Sequence, residues 1–187
     1  MDYLVRTATL DDEEQLRDLI VRSIRELGLG DYTRAQIDAA LQGAFGVDTA
    51  LIRDGTYFVA TTDTGQLVGC GGWSRRRTLF GSDARADRDE SWLDPRSDAA
   101  KIRAFFVDPT HARRGLGRKI LERSEAEAAR AGFTTFELMA TLPGVRLYTA
   151  CGYRSRNAID YPLADGLHIR FVPMIKHLNS GEMMLRE

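Results

Sequence analysis

The chain has 187 residues, somewhat more than the usual prior of about 150 per domain but within the spread of one compact unit. With 43% hydrophobic and 28% charged residues, and 26 Lys plus Arg against 27 Asp plus Glu, it has the makeup of a folded globular protein. That balance excludes the basic excess that drives general nucleic-acid binding. No run approaches the roughly 18–20 apolar residues of a membrane span. Met1-Asp2-Tyr3 lacks the basic and apolar regions of a secretory leader, so a cytoplasmic chain with no membrane partner is expected.

Tyr3 to Ala8 alternates as a strand, and Thr9 with Asp12 offers an acidic capping box for a helix. Leu16, Leu19, Ile20, Ile24 and Leu27 place its apolar face on the sheet, and Gly28 stops it. A second helix is predicted from Thr33 to Leu41. Ala50–Ile52 and Tyr57–Thr61 read as strand material broken by Asp54-Gly55, and Asp63-Thr64-Gly65 turns the chain into a strand over Gln66–Arg75. The Gly71-Gly72 pair in that strand predicts a bulge or a close backbone approach.

Half of the residues from Gly81 to Asp98 are charged, which describes a solvated loop, with Trp92 and Leu93 either anchoring it or folding it over a site. Ile102–Val107 is the next strand. A basic loop, His111 to Arg114, leads to a helix opened by Gly115 and closed by Gly132, with Arg118 and Glu122 as an i,i+4 pair. Thr134–Ala140 then lies parallel to the preceding strand. A short helix over Pro143–Ala150 follows, and Tyr153–Tyr161 with Leu167–Lys176 forms a closing hairpin through Asp165-Gly166. The whole is one domain, residues 1–187, with a short tail after about residue 177.

Chemistry concentrates around Gly115. About four N–H groups at a helix start lack intrahelical partners, and the helix dipole makes that end positive. Gly115 and Gly117 leave the backbone uncovered while Arg113, Arg114 and Arg118 add charge, so a diphosphate suits the loop. A dinucleotide fingerprint would need a third glycine where Ile120 stands, and a Walker A loop would need Gly-Lys followed by Ser or Thr. Neither pattern is met. Cys70 and Cys151, each beside a glycine, read as small buried residues of a reduced compartment. His111, His168 and His177 have no metal-ligand spacing, so no metal is expected.

Val107-Asp108-Pro109, Arg113 to Arg118 and Leu147 to Tyr153, taken in this order and spacing, resemble the GNAT superfamily of acetyl-CoA-dependent N-acetyltransferases. The resemblance runs from Tyr3 to about Lys176. It implies an α/β fold with a mixed, mostly antiparallel sheet, a central splayed pair of parallel strands and flanking helices. It also implies acetyl-CoA as cosubstrate, its pyrophosphate on the amides of the Ala112–Gly117 loop and its pantetheine along Phe105, Phe106 and Val107. Ala112 stands where the family's loop usually begins with Gln or Arg. The acceptor would be a primary amine of a small molecule or a protein, with a homodimer left open.

An amine attacking a thioester needs an oxyanion donor, a proton acceptor and a donor for the departing thiolate. By the same resemblance the Val107 N–H supplies the first and Tyr148 the last. A phenol, at about 10, stays protonated near neutrality and can donate to a thiolate at about 8.5. Many relatives carry an acid six residues before the strand-ending Val, where this chain has Lys101. Glu137, Glu90, Asp98 or a water chain are the candidates for the base. Trp73, Arg75, Arg76 and Trp92 are candidates for the acceptor cleft, the arginines suiting a carboxylate-bearing substrate. Rival readings are a non-catalytic coenzyme A-binding regulatory module and an acyltransferase for longer acyl chains.

Overall fold

The computed structural model describes residues 3–85 and 88–178, so the expected tail after about residue 177 lies outside the described residues apart from its first. Strand β1 (Leu4–Thr7) leads through a single 3-10 turn, Leu10–Asp12, into helix α1 (Glu13–Leu27). The Thr9 N–H donates to the Asp12 carboxylate at 2.8 Å, and Arg6 grips the same carboxylate, so strand and helix meet at a fixed angle. Helix α2 (Arg34–Ala40) starts at Thr33, which forms a capping box with Gln36.

Ala50–Ile52 is not strand but the body of a short helix, α3 (Thr49–Arg53). Local β-branching is overridden by a tertiary contact: both Asp83 carboxylate oxygens accept from the Thr49 N–H, at 3.1 and 3.0 Å, and neutralise the helix start. Leu51 and Ile52 are then buried.

Strands β2 (Tyr57–Thr61) and β3 (Leu67–Ser74) form the expected hairpin, and β4 (Ala100–Val107) pairs antiparallel with β3. Helix α4 (Leu116–Arg130) and strand β5 (Thr135–Thr141) complete the crossover. A 3-10 turn and helix α5 (Val145–Ala150) lead to β6 (Arg154–Ser155), β7 (Ile159–Pro162) and β8 (His168–His177). The closing hairpin is thus interrupted: β6 and β7 both pair with β8, and Arg156 between them still donates its N–H to the Pro173 carbonyl at 2.8 Å.

The eight strands run in the order β1-β2-β3-β4-β5-β8-β6 with β7 also on β8, and all pairings are antiparallel except β4 with β5. Alternation sends Tyr57 and Val59 to one face, beneath α1, α2 and α3, and Phe58 and Ala60 to the other, beneath α4 and α5. Cys70 is buried in the first layer.

The charged loop is more than a solvated excursion. Arg88, from that loop, reaches the fully buried Asp48 at 2.8 Å, and Arg103 of β4 contacts the same carboxylate at 2.6 Å. Two guanidinium groups around one buried carboxylate hold the loop to the sheet. Arg118 does not turn to Glu122; its guanidinium donates to the Ala150 carbonyl at 3.4 Å and ties α4 to α5.

Candidate active site

Parallel pairing between β4 and β5 covers only Ala100 with Phe136 and Lys101 with Glu137, after which the strands part. The cause lies within β4. Ala104 adopts a left-handed conformation at φ 56°, and the register against β3 slips between Cys70 and Gly72. Tyr57 stabilises the kink by donating its hydroxyl to the Ala104 carbonyl at 3.0 Å. Gly71 makes room on β3: a Cβ there would lie 2.7 Å from the Phe105 ring. The Gly71-Gly72 pair therefore serves both a bulge and a close approach.

Beyond the kink the edge of β4 is open. The Asp108 N–H bonds back to Val68 on β3 at 2.9 Å, so alternation turns the Val107 N–H to the opposite edge. There it meets the Ser23 hydroxyl of α1 at 3.2 Å.

The parted strands frame a cleft of about 380 Å³. One wall is Phe105, Phe106 and Val107; the other is Pro143, Gly144, Leu147 and Tyr148; Ser23, Ile24 and Tyr32 cover it from above. At one end Arg113, Gly115, Leu116, Gly117 and Arg118 bring the start of α4 into the cleft. Gly115 caps that helix at φ 80°, and Arg113 is also left-handed, at φ 63°. The first intrahelical bond is Lys119 N–H to Gly115 at 3.0 Å, leaving the amides of Leu116, Gly117 and Arg118 to face outward along the axis. Of the residues from Arg113 to Arg118 expected to hold the cofactor, Arg114 alone does not line the cleft.

Tyr148 is buried, edge-on to Phe105 and Tyr153 with ring centroids at 6.2 and 5.8 Å. Leu147 is the less buried of the two, because the cleft itself lies beneath α5. Burial, then the neighbouring Cys151, pushes the Tyr148 hydroxyl above the ordinary phenol value, so it carries its proton throughout the neutral range. Its ring also borders a second cavity of about 70 Å³, which shares Phe45, Phe105, Phe106 and Thr141 with the cleft. Tyr148 thus stands between two chambers.

The candidate bases lie elsewhere. Glu137 pairs with Lys101 where β4 and β5 are still joined, Glu90 sits 3.7 Å from both Arg76 and Arg88, and Asp98 accepts from the Asp94 N–H at 2.9 Å. Among the described residues none of the three lines either cavity.

The candidate acceptor residues are likewise displaced. Trp73 is buried opposite Ile102, edge-on to Phe133 at 5.9 Å, near the start of β4 rather than its end. Arg75 lies over both Trp73 and Trp92, at 5.6 and 5.1 Å, and Arg76 over Trp92 at 5.4 Å while bonded to Asp54. Trp92 is 60% exposed. This cation–π stack anchors the charged loop at the closed end of the sheet, and these four residues do not line the cleft.

Sequence reasoning missed Ser23, Tyr32 and Phe45. Tyr32 donates to the Arg170 carbonyl at 2.7 Å and accepts from the Leu142 N–H at 2.8 Å, and burial pushes its hydroxyl up to about 12. It ties β8 to the wall of the cleft. Ser23 sits among the apolar residues of α1 while Tyr32 and Phe45 lie in turns, and neither setting marks a site.

A strand pair opened by a bulge, with a glycine-capped helix start at one end and a buried phenol at the other, is the architecture of an acyltransferase of the splayed-sheet kind. The chain matches the model of the acetyltransferase (GNAT) family over residues 16–153 and belongs to that family. Three solved structures share the fold. The GCN5-related N-acetyltransferase of Rhodopseudomonas palustris is 19% identical, covering 95% of this chain and 97% of its own, with a TM-score of 0.70. The yncA acetyltransferase of Salmonella typhimurium, solved with acetyl-CoA, is 19% identical over 96% of both chains, with a TM-score of 0.65. The paia N-acetyltransferase of Thermoplasma acidophilum, in complex with coenzyme A, is 14% identical over 95% of this chain and 99% of its own, with a TM-score of 0.64. No curated protein matches the chain in sequence. Among the described residues no helix is long and apolar enough to cross a membrane, and no His, Cys, Asp and Glu side chains gather as a metal-binding group.

Proposed function

We propose that this chain transfers the acetyl group of acetyl-CoA to a primary amine by direct attack on the thioester. The observation that carries the reading is the position of Tyr148 between the cofactor-sized cleft and the smaller second cavity. A donor entering from one side and an acceptor from the other would meet at its hydroxyl. The residues present suit coenzyme A. Outward amides of Leu116, Gly117 and Arg118, with the Arg113 and Arg118 guanidinium groups, would hold the diphosphate, and the open edge of β4 would pair with the pantetheine amides.

Acetyl-CoA would supply an acyl carbon activated as a thioester. Phe105 and Val107 orient backbone N–H groups along the open edge, where they can stabilise negative charge that develops on an acyl oxygen. Tyr148, kept protonated by burial, hands its proton to the departing sulfur. The acceptor nitrogen gives its own proton to solvent, because among the described residues no carboxylate lines either cavity.

The test is a panel of amines with acetyl-CoA, scored by release of free thiol, alongside calorimetry on Gly117→Val. A Cβ at Gly117 would lie 3.0 Å from the Leu147 side chain and beside the diphosphate amides. Weakened acetyl-CoA binding in this folded variant, with thiol release by the parent, is the expected result. Binding without thiol release from any amine would instead assign the chain as a coenzyme A-binding regulatory module.

A further inference from the structure

The loop that opens α4 does not hold its own shape. Among the described residues the N–H groups of Arg113, Arg114 and Gly115 find no protein acceptor, and all three residues are exposed. Arg113 is left-handed at φ 63° and Gly115 at φ 80°, a conformation that an arginine keeps only where its surroundings impose it. One residue touches both flanks of this loop. Tyr3, just before β1, shares a hydrogen bond of 3.0 Å between its hydroxyl and Nδ1 of His111, the two rings standing edge-on at 5.7 Å. Its carbonyl accepts from the Lys119 Nζ at 2.7 Å. His111 ends the turn that enters the loop, and Lys119 lies in the first turn of α4, where its N–H closes on Gly115. Asp108 also holds the entering flank, through the Thr110 N–H at 3.0 Å and through Arg22, but Tyr3 joins that flank to the helix. With Val5 it packs against the core layer that contains Leu116 and Ile120 of α4. Tyr3, His111 and Lys119 do not line the cleft, so the contact is with the frame of the loop.

We propose that Tyr3 is a positioning residue for the cofactor: it sets the span between His111 and Lys119, and so keeps the amides of Leu116, Gly117 and Arg118 turned toward the diphosphate before acetyl-CoA arrives. This rests on the acetyl-CoA reading above. A loop fixed in its bound shape loses less freedom when the ligand enters, which strengthens binding without adding a contact. The coupling is reciprocal. Whatever factor a seated Tyr3 adds to acetyl-CoA affinity, bound acetyl-CoA adds to the seating of Tyr3. That second effect has a visible reporter, because β1 is the outermost strand of the sheet and mostly exposed, a segment that opens locally at low cost.

The experiment reads both directions. Calorimetry measures acetyl-CoA binding to Tyr3→Ala and Tyr3→Phe, and hydrogen exchange follows the β1 amides of the parent with and without acetyl-CoA. Tyr3→Ala should weaken acetyl-CoA by roughly fivefold or more, within the ordinary range of coupling between sites. Tyr3→Phe keeps the ring against His111 and the carbonyl on Lys119, and should lose less. With an amine that the parent acetylates, KM for acetyl-CoA should rise in Tyr3→Ala while kcat at saturation holds, since Tyr148 and the Val107 edge are untouched. Bound acetyl-CoA should slow exchange across Leu4–Thr7 in the parent. Undiminished affinity in a folded Tyr3→Ala would overturn the proposal, as would β1 exchange that acetyl-CoA leaves as it was. If the parent binds no acetyl-CoA, the cofactor reading fails and the ligand-free loop decides. NMR order parameters over Arg113–Gly117 that fall in Tyr3→Ala from about 0.85 toward about 0.6 uphold the positioning role, and unchanged values overturn it.

Discussion

Ser23 on α1 and Val107 at the end of β4 share a hydrogen bond of 3.2 Å, in which the backbone N–H that faces the cleft is already spent on a side-chain hydroxyl. That N–H is the one expected to meet the acyl oxygen. Any carbonyl entering here displaces Ser23 first, so part of the interaction is exchanged rather than gained.

Ser23→Ala should therefore tighten acetyl-CoA while leaving coenzyme A, which has no acyl carbonyl, unaffected. One neutral hydrogen bond is worth about 0.5–1.5 kcal/mol, or roughly 2- to 10-fold in affinity. Calorimetry with the two ligands checks this; equal effects on both would show that Ser23 does not compete for the acyl oxygen.

Tyr148→Phe keeps the ring contacts with Phe105 and Tyr153 and removes only the hydroxyl. Loss of a general acid typically costs about 100- to 10,000-fold, so kcat should fall steeply while acetyl-CoA affinity holds. Full turnover in the Phe variant, with chemistry rate-limiting, would remove Tyr148 from the mechanism.

Asp48 has no exposed surface and faces both Arg88 and Arg103. Asp48→Ala leaves the buried Arg103 guanidinium without its carboxylate, while Arg88 keeps Asp83 at 3.0 Å, an imbalance worth about 3–5 kcal/mol. A large drop in the urea midpoint, together with faster proteolysis within the charged loop, is the expected outcome. A near-neutral result would show that the loop is held by other contacts.

Asp54 and Arg76 predict an acid-sensitive contribution. The side-chain hydrogen bond from Arg76 outweighs burial and holds the carboxyl below its ordinary 3.8. A group whose folded value is depressed adds stability above its unfolded value, and that stability is lost as pH falls through the folded value. Asp54→Asn should thus lower the urea midpoint at pH 7, by about 1.5–3 kcal/mol for a charge-assisted bond. The difference from the parent should shrink below about pH 4 and vanish once both states are protonated. A gap that persists at the lowest pH would mean the carboxylate charge is not what Arg76 reads.

The cleft's helix-start end, where the cofactor is proposed to sit, was legible because main-chain chemistry depends on local rules. Gly115 and Gly117 announce an uncovered helix start, and Val107-Asp108-Pro109 announces a strand end. The second cavity was not, since Phe45, Phe80 and Phe171 come from three distant segments that no local pattern joins. Trp73, Arg75 and Trp92 misled for the converse reason: aromatic and arginine side chains at unusual density looked like a binding surface, whereas they stack on one another. Ala50–Ile52 shows the same limit in the fold, its helix being decided by Asp83, over thirty positions later in the chain.

The contact between Gly71 and the Phe105 ring has a mechanical side. Phe105 can lie across β3 because position 71 carries no side chain, and the same ring forms one wall of the cleft. Any Cβ at that position would displace the ring and so reshape that wall. A residue on a strand that does not line the cleft therefore works as a wedge stop, fixing the gauge of the cleft from outside it.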